Sequence, residues 1–368
     1  MKHLSVMMKP ASGHCNMRCS YCFYADLTRH REQADYGMMS REVAKAIVDN
    51  MLAELTAGDE ATLVFQGGEP TLAGLDFFQY LLPYARESGK KQGVVFHFAL
   101  QTNGLTLNEM WMPLLKENEV LVGLSIDGEK RLHDENRKDA AGNDTFKRVM
   151  QSKRLLEQQS VPFNVLLTLT NQAARHPQQL WQFLIKEGID FIQFTPCLDG
   201  LEALEKSPYA LSPERFYRFY AALFPLWVAQ LQSGKYVSVK LFDDVFHYFS
   251  RRIPNVCGIH GACSVQFACE GDGSVFPCDF YMLDAYRMGS LAVSKPGELI
   301  GKAQSFLDGG RDYAKQEPCA SCKYAAVCNG GCKRMVDAMY FSDGICWYAK
   351  LLDEILPPLL HIGKQFNR

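Results

Sequence analysis

The sequence predicts an α/β fold: a partial (β/α)6 barrel over about the first 200 residues, followed by a cysteine-rich C-terminal region. Short apolar runs typical of β-strands alternate with longer segments of helical periodicity, which favours a parallel sheet with right-handed crossovers. Six such runs occur, whereas a closed barrel of this type needs eight. Six repeats therefore indicate a partial barrel. A doubly wound open sheet has the same periodicity and is the alternative.

The predicted elements follow one another in a regular order. The predicted strands span residues 4–8, 62–66, 94–101, 120–127, 163–168 and 191–195. The predicted helices span residues 40–55, 75–85, 107–115, 146–156 and 180–186. Ser40 is a good N-cap candidate for the first of them. A later helix is expected over residues 216–231, interrupted or kinked near Pro225, and more helix is expected near residues 240–250.

The composition is that of a globular protein and excludes several function classes. Of the 368 residues, 47% are apolar and 22% are charged, and the formal net charge is −2. This balance gives no electrostatic footprint for nucleic acid or an anionic membrane. No apolar run reaches the length of about 18 residues that a membrane span needs, and Lys9 and Pro10 come too early for a signal peptide. We therefore expect a cytoplasmic protein, in which thiols stay reduced.

A cysteine loop, residues 13–23, directly follows the first predicted strand. It carries Cys15, Cys19 and Cys22 in the spacing C-x3-C-x2-C. In parallel α/β folds, functional sites form at the carboxyl ends of the strands. Small or polar residues also follow the next three strands, at residues 66–70, 101–104 and 125–128. The sequence therefore predicts one functional rim built from four strand ends.

Three thiols on one loop suit a [4Fe–4S] cluster that keeps one coordination position open. Each of its four irons needs a ligand, so three cysteines leave one iron free. An open position is typical of a catalytic metal, and an amine with a neighbouring carboxylate can chelate it. The methionine moiety of S-adenosylmethionine has both groups. The alternative is a zinc loop with a distant fourth ligand, for which His14 is a candidate.

Most other cysteines lie in the last third of the chain. Clustered thiols in a reducing compartment are typical ligands of zinc or of iron–sulfur clusters. These residues are Cys257, Cys263, Cys269, Cys278, Cys319, Cys322, Cys328, Cys332 and Cys346, and Cys197 stands alone. Eight of them would fully ligate two clusters, which favours electron transfer, but spacing does not decide the grouping. Structural zinc sites are the alternative, and Cys197 and Cys269 are expected to be buried small hydrophobes.

Several motifs together resemble a known family. The cysteine loop, with Tyr21 before its last cysteine, and the GGEP that follows the second strand resemble the radical S-adenosylmethionine enzymes. QGGEPTLAG, LQTNG, GLSIDG, HDENRKD, PCLDG, CDFYMLD and the C-terminal cysteines resemble the anaerobic sulfatase-maturating enzymes over almost the whole chain. The resemblance implies a partial (β/α)6 barrel with trailing helices over residues 1–235. A SPASM domain with two auxiliary iron–sulfur clusters and a C-terminal helix would follow over residues 236–368.

The resemblance also implies three [4Fe–4S] clusters and S-adenosylmethionine as cofactors. The first cluster would be held by Cys15, Cys19 and Cys22. S-adenosylmethionine would be contacted by Tyr21, Gly67, Gly68, Glu69, Ser125, Arg137 and Leu198. The first auxiliary cluster would be ligated by Cys257, Cys263, Cys278 and Cys332, and the second by Cys319, Cys322, Cys328 and Cys346.

The resemblance assigns the general base to Asp279. Tyr24 and Gln66 lie near the predicted cofactor rim, and we expect them to contact the substrate. A solvated loop aspartate is the alternative for Asp279. The implied reaction is radical oxidation of Cys or Ser in a sulfatase C/S-x-P/A-x-R segment to Cα-formylglycine (3-oxoalanine). An external one-electron donor of the flavodoxin or ferredoxin type would take part, with neither nucleic acid nor membrane as a partner. Two alternatives stay open: cross-linking of a ribosomal peptide and a non-catalytic multi-cluster electron carrier.

Overall fold

A computed structural model describes residues 1–201, 203, 205–251, 257–308 and 318–366. The chain divides into two compact units, and each is assembled from segments that are separated in sequence. The first unit comprises Met1–Ser125, Asp134–Phe163 and Val265–Leu307, and the second comprises Ile126–His133, Asn164–Ser264 and Asp308–Arg368. The predicted domain division after residue 235 stays a prediction.

All six predicted strands are confirmed, and their observed bounds differ from the predicted ones by at most two residues. Further short strands, which the apolar pattern did not predict, lie in the C-terminal part. The strands are β1 His3–Met8, β2 Glu60–Phe65, β3 Val95–Thr102, β4 Leu121–Ser125, β5 Phe163–Leu169, β6 Phe191–Pro196, β7 Ser238–Val239, β8 Ala268–Cys269, β9 Ser274–Phe276, β10 Gly289–Ser290, β11 Phe341–Ser342 and β12 Ile345–Cys346.

Helices lie between the first six strands, as the periodicity predicts, and continue beyond them. The helices are α1 Phe23–Leu27, α2 Arg41–Leu52, α3 Leu75–Gln92, α4 Trp111–Glu117, α5 Lys130–Asn136, α6 Phe146–Gln158, α7 Pro177–Lys186, α8 Pro213–Gln232, α9 Lys240–Arg251, α10 Cys257–His260, α11 Pro296–Ile300, α12 Gln304–Asp308, α13 Ala325–Cys328 and α14 Trp347–Phe366. The predicted N-cap is confirmed, because the Ser40 side chain accepts a hydrogen bond from the Val43 backbone N–H at 3.2 Å.

Several helices differ from the prediction at their bounds: α2 ends three residues early, α4 begins four residues late, and α7 and α8 each begin three residues early. Helix α3 extends seven residues beyond the predicted end, because its polar last turns carry no apolar period and Gly93 ends it in a left-handed conformation. Helix α8 runs through Pro225 without a break, so the expected interruption is absent. Phe224 and Trp227 are buried on either side of Pro225, and their packing offsets the hydrogen bond that proline removes.

The first unit is built on a sheet of seven strands. Strands β1 to β4 are parallel and follow sequence order, while β8, β9 and β10 extend the sheet beyond β1. Strand β8 pairs with β1 in parallel, so residues from near position 270 lie beside the start of the chain. Helices α2 and α3 pack together, and Phe78 of α3 contacts Phe65 of β2 with ring centroids 5.0 Å apart. The pairing of β8 with β1 positions the site described below.

The second unit contains the parallel strands β5, β6 and β7 and the hairpin of β11 and β12. Helix α8 packs against α7 and α14, and its Trp227 indole N–H donates a hydrogen bond to the Val237 carbonyl oxygen at 2.8 Å. Aromatic rings of Tyr220, Phe224 and Phe242 surround this contact. Among the described residues of the chain, no helix combines the length and the apolar character that crossing a membrane requires.

Candidate active site

The ends of β1, β2, β3 and β8 carry polar side chains on a shared face. We call them the polar row: Lys9, Gln66, Gln101 and Glu270. The residues directly before them pair with one another in parallel register, so the four are level across the sheet. The Lys9 backbone N–H continues this pairing and donates to the Cys269 carbonyl oxygen at 2.8 Å. The ends of four neighbouring strands therefore place these polar side chains in one row. The sequence predicted a rim from the ends of the first four strands, whereas this row contains β8, which was not predicted, in place of β4.

The cysteine loop lies next to this surface and has an ordered backbone. The Cys15 sulfur accepts hydrogen bonds from the Met17 backbone N–H at 3.3 Å and from the Asn103 amide at 3.7 Å. Burial, with smaller contributions from Glu69 and Cys22, raises the pKa of the Cys15 thiol to about 11. A buried thiol of this kind ionises when a cation lies beside it, and an iron–sulfur cluster supplies such a charge. The donor set therefore fits the predicted cluster.

The GGE tripeptide, residues 67–69, donates backbone hydrogen bonds to the cysteine loop and to Ser12 directly before it. The backbone N–H of Gly68 donates to the Ser12 carbonyl oxygen at 2.9 Å, and that of Glu69 donates to the His14 carbonyl oxygen at 2.7 Å. A Cβ atom on Gly68 would lie 2.1 Å from that same His14 oxygen, so only glycine fits. Gly67 has φ of +127°, a conformation that also favours glycine. Both glycines are thus required for loop packing, and their predicted contact with the cofactor stays a prediction.

Glu69 is buried and ties the ends of β2 and β3 together. Its Oε1 accepts hydrogen bonds from the Thr71 and Thr102 hydroxyls at 2.6 and 2.8 Å, and its Oε2 accepts one from the Asn103 backbone N–H at 2.7 Å. Burial raises the pKa of Glu69, and these hydrogen bonds oppose the shift. Because Asn103 also contacts Cys15, Glu69 fixes the loop indirectly. Its predicted contact with the methionyl amine stays a prediction.

Three further predicted cofactor contacts lie in the first unit. The Gln101 side-chain amide donates a hydrogen bond to the Ser125 hydroxyl at 3.0 Å. The Arg137 guanidinium carbon lies 5.6 Å from the centroid of the Tyr21 ring, which places these two residues together. Leu198 is half-buried and follows β6 in the second unit. The roles of these residues toward S-adenosylmethionine stay predictions.

Asp279 lies beside the polar row although 213 positions separate it from Gln66. The pairing of β8 with β1 brings its segment to this point. The Gln66 side-chain amide donates a hydrogen bond to Asp279 Oδ2 at 3.2 Å. Burial raises the pKa of Asp279, and the charge of Lys9 opposes the shift. Hydrogen bonds from the backbone N–H groups of Asp279 and Phe280 also oppose it. A buried carboxylate with a raised pKa can accept a proton from a group bound next to it.

Three residues near Asp279 and Gln66 were not predicted from the sequence: Lys9, Arg31 and Glu270. The Arg31 guanidinium contacts Glu270 Oε1 at 2.6 Å, and both side chains are fully buried. The Tyr24 hydroxyl also donates to Glu270, so the predicted substrate contact Tyr24 is part of this network. Lys9 Nζ lies 4.2 Å from the Tyr24 ring centroid. A lysine directly after an apolar strand was a usable signal for Lys9, whereas Arg31 and Glu270 carry no local sequence signal.

The second unit brings together the thiols predicted for the second auxiliary cluster: Cys319, Cys322, Cys328 and Cys346. Burial, with smaller contributions from the charges of the other three thiols, raises the pKa of Cys328 to about 12. Burial raises the pKa of Cys332, and the charge of the neighbouring Cys263 adds to the shift. The first auxiliary ligand set stays a prediction. Cys278 belongs to the first unit, and the Cys257 side chain lies outside the described residues.

Cys197 and Cys269 are buried, as expected for small hydrophobes. In the described parts of the chain, no three His, Cys, Asp or Glu side chains converge as ligands of a single metal ion. The ligands of a four-iron cluster each bind a different iron, so they stand farther apart than the ligands of one ion.

Known proteins identify the class to which this fold and cysteine loop belong. The sequence model of the Radical SAM superfamily matches residues 10–180, which include the cysteine loop, the GGE tripeptide, Gln66 and Gln101. The chain is therefore a radical S-adenosylmethionine enzyme, as predicted from its motifs.

Two relatives narrow this class. The cysteine-type anaerobic sulfatase-maturating enzyme of Clostridium perfringens strain 13 is 39% identical over 346 residues, which cover 93% of this chain and 92% of that protein. The enzyme of the same name from Clostridium novyi strain NT is 37% identical over 337 residues, with coverage of 91% and 89%. The chain belongs to the family of anaerobic sulfatase-maturating enzymes.

A solved structure agrees with this assignment. Native anSMEcpe with bound AdoMet and Cp18Cys peptide is 35% identical, has a TM-score of 0.88 and covers 99% of both chains. The predicted α/β fold, a partial barrel followed by a C-terminal domain, is thereby confirmed. Membership of the superfamily implies S-adenosylmethionine and a [4Fe–4S] cluster as cofactors.

Proposed function

We propose that this enzyme oxidises a cysteine in a C-x-P/A-x-R segment of a sulfatase to Cα-formylglycine. The observation that carries the proposal is the buried Asp279 carboxylate, held by Gln66 at 3.2 Å within the unit that contains the cysteine loop. The relatives at 37% and 39% identity, both named cysteine-type, support cysteine as the target. The peptide in the related solved structure supports a peptide substrate.

Cys15, Cys19 and Cys22 would hold the [4Fe–4S] cluster. S-adenosylmethionine would lie against Tyr21, Gly67, Gly68, Glu69, Ser125, Arg137 and Leu198. When bound, these groups supply the 5′-deoxyadenosyl radical that removes a hydrogen atom from the target carbon. The arrangement of Tyr21 beside Arg137 and of Ser125 beside Gln101 supports this set, because each pair is already positioned by protein contacts.

The residues of the chain would handle the proton of the target. Asp279 Oδ would accept the proton of the cysteine sulfur, while the Gln66 amide holds Oδ2 in place. The oxidation removes one hydrogen atom, which goes to the 5′-deoxyadenosyl radical, one proton, which goes to Asp279, and one electron, which would pass to the auxiliary clusters. Hydrolysis of the resulting thioaldehyde gives the aldehyde and hydrogen sulfide. Burial of Asp279 excludes bulk water from this transfer.

We propose two auxiliary [4Fe–4S] clusters with the ligand sets predicted from the sequence. The proximity of the thiols of Cys319, Cys322, Cys328 and Cys346 supports the second set. An external one-electron donor of the flavodoxin or ferredoxin type would serve the enzyme. The many reduced thiols support a cytoplasmic location.

The test is anaerobic incubation of reconstituted enzyme with dithionite, S-adenosylmethionine and a C-x-P-x-R peptide. Mass spectrometry follows the conversion of cysteine to the aldehyde, and 5′-deoxyadenosine is quantified in the same sample. We expect Asp279→Asn to lower aldehyde formation by about 100-fold or more, because a positioned base contributes at least this factor. The matched control is Asp284→Asn, which changes an exposed carboxylate in the same segment and should retain activity.

Each outcome discriminates between functions. Aldehyde that depends on Asp279 supports the proposal. Deoxyadenosine without any change in the peptide would retain the radical chemistry and overturn this substrate, in favour of cross-linking of another peptide. Neither product, from enzyme with its full iron content, would overturn the catalytic role itself and favour an electron carrier.

A further inference from the structure

Lys9 is the most unusual polar residue of the candidate site. Its side chain is fully buried, with a relative exposure of 0%. Within the part of the chain that the structure describes, Nζ has no hydrogen-bond partner. A buried amine or ammonium group without a partner is costly, and proteins rarely keep one without a use. Lys9 therefore has an unused donor at the carboxyl end of β1.

The surroundings of Lys9 are those of a binding position. Its Nζ lies over the Tyr24 ring at 4.2 Å from the centroid. Asp279 and Glu270 act on it as negative charges, while Arg31 acts as a positive one. Burial lowers the pKa of Lys9, and the two carboxylates oppose that shift. Because both the ammonium and the neutral amine carry N–H bonds, the group remains a donor in either form.

Lys9 lies near Asp279, because the charge of each acts on the pKa of the other. Lys9 and Gln66 are neighbours in the polar row, at the ends of paired parallel strands. Gln66 uses its amide to hold Asp279 at 3.2 Å. A molecule bound against Asp279 therefore meets the face that carries Lys9. An acceptor atom on that molecule is a suitable partner for Nζ.

We propose that Lys9 Nζ donates a hydrogen bond to the side-chain heteroatom of the target residue, the sulfur of the cysteine that is oxidised. This inference rests on the proposed function, since it needs a target that bears a thiol. Lys9 would hold the sulfur from one side while Asp279 takes its proton from the other. The hydrogen bond strengthens as the sulfur gains negative charge, so it favours the form that loses the proton.

Binding of two peptides that differ only in the thiol of the target residue tests this contact. The first carries the C-x-P-x-R segment, and the second has alanine at the target position. Dissociation constants are measured anaerobically by fluorescence anisotropy, with reconstituted holoenzyme, S-adenosylmethionine and no reductant, so that no turnover occurs. We expect the wild-type enzyme to prefer the cysteine peptide. Lys9→Met should reduce that preference by about tenfold or more, the factor of a hydrogen bond to a charged donor, with little change for the alanine peptide.

Lys153→Met is the matched control. Lys153 is also buried, but its Nζ contacts Glu157 at 2.6 Å on α6. We expect this substitution to affect stability without changing the preference for cysteine. Lys9→Gln is the second variant, because it removes the charge and keeps an N–H donor, on a side chain one bond shorter. If Lys9→Met fails to incorporate iron, the preference of Lys9→Gln decides the question and should lie between wild type and no preference.

The outcomes separate this contact from the reaction itself. Equal weakening of both peptides by Lys9→Met, or an undiminished preference for cysteine, overturns the assignment of Lys9. A wild-type enzyme without any preference for the cysteine peptide also overturns it, whether or not the aldehyde forms. Failure of the proposed function is recognised independently, from absence of the aldehyde in wild-type turnover samples.

Discussion

The cysteine loop and the polar row are adjacent in the first unit, yet they are built in different ways. The cysteine loop takes its three thiols from eight consecutive positions, Cys15 to Cys22. The polar row comes from four strand ends and Asp279 follows a fifth strand, β9, and the most distant of these residues are more than 200 positions apart. The comparison teaches that metal ligation can be encoded locally, whereas the proton-handling site depends on correct pairing of strands.

The largest expected effect comes from removing one thiol of the cysteine loop. Cys22→Ala should remove one ligand of the first cluster, so the reconstituted enzyme should lose about four irons and all formation of 5′-deoxyadenosine. Iron content and product yield measure the two losses. Cys269→Ala is the control, because it removes a buried thiol that is not a predicted ligand. Normal iron content in Cys22→Ala would contradict the ligand assignment.

The features encoded locally were predictable from the sequence, whereas those that depend on pairing of distant strands were not. The strands β1 to β6 were predictable because each is a continuous apolar run bounded by polar residues, and the motif-bearing loops follow from them. Strands β8 and β9 were not predictable, since two or three residues carry no detectable period. These strands place Glu270 and Asp279 beside Lys9. The resemblance nevertheless singled out Asp279, but it gave no reason to expect Lys9, Arg31 or Glu270.

The second largest effect is expected for the buried pair of Arg31 and Glu270, which joins distant parts of the sequence. Arg31→Met leaves Glu270 buried without its positive partner, which we expect to lower the free energy of unfolding by about 3–5 kcal/mol. Thermal and denaturant unfolding of the holoenzyme measure the change. The double variant Arg31→Met/Glu270→Gln should recover most of the loss, because it removes the buried charge and keeps an acceptor for the Tyr24 hydroxyl. A double variant as unstable as the single one would contradict this explanation.

The smallest expected effect concerns the contact between the cysteine loop and the GGE tripeptide, which follows β2. Gly68→Ala places a Cβ atom 2.1 Å from the His14 carbonyl oxygen, so the loop backbone must shift. We expect a loss of about 2–4 kcal/mol in unfolding free energy and incomplete occupancy of the first cluster, measured by unfolding and by iron content.

Gly301→Ala is the control for this substitution, because a Cβ atom there meets nothing within 4 Å and the residue has φ of −59°. It should be neutral or slightly stabilising. If Gly68→Ala lowers stability but leaves iron content unchanged, the tripeptide only packs against the loop. If both fall together, the strand end positions the thiols, and the local region depends on the sheet after all. The second result is the one that the hydrogen bonds from Gly68 and Glu69 to the loop predict.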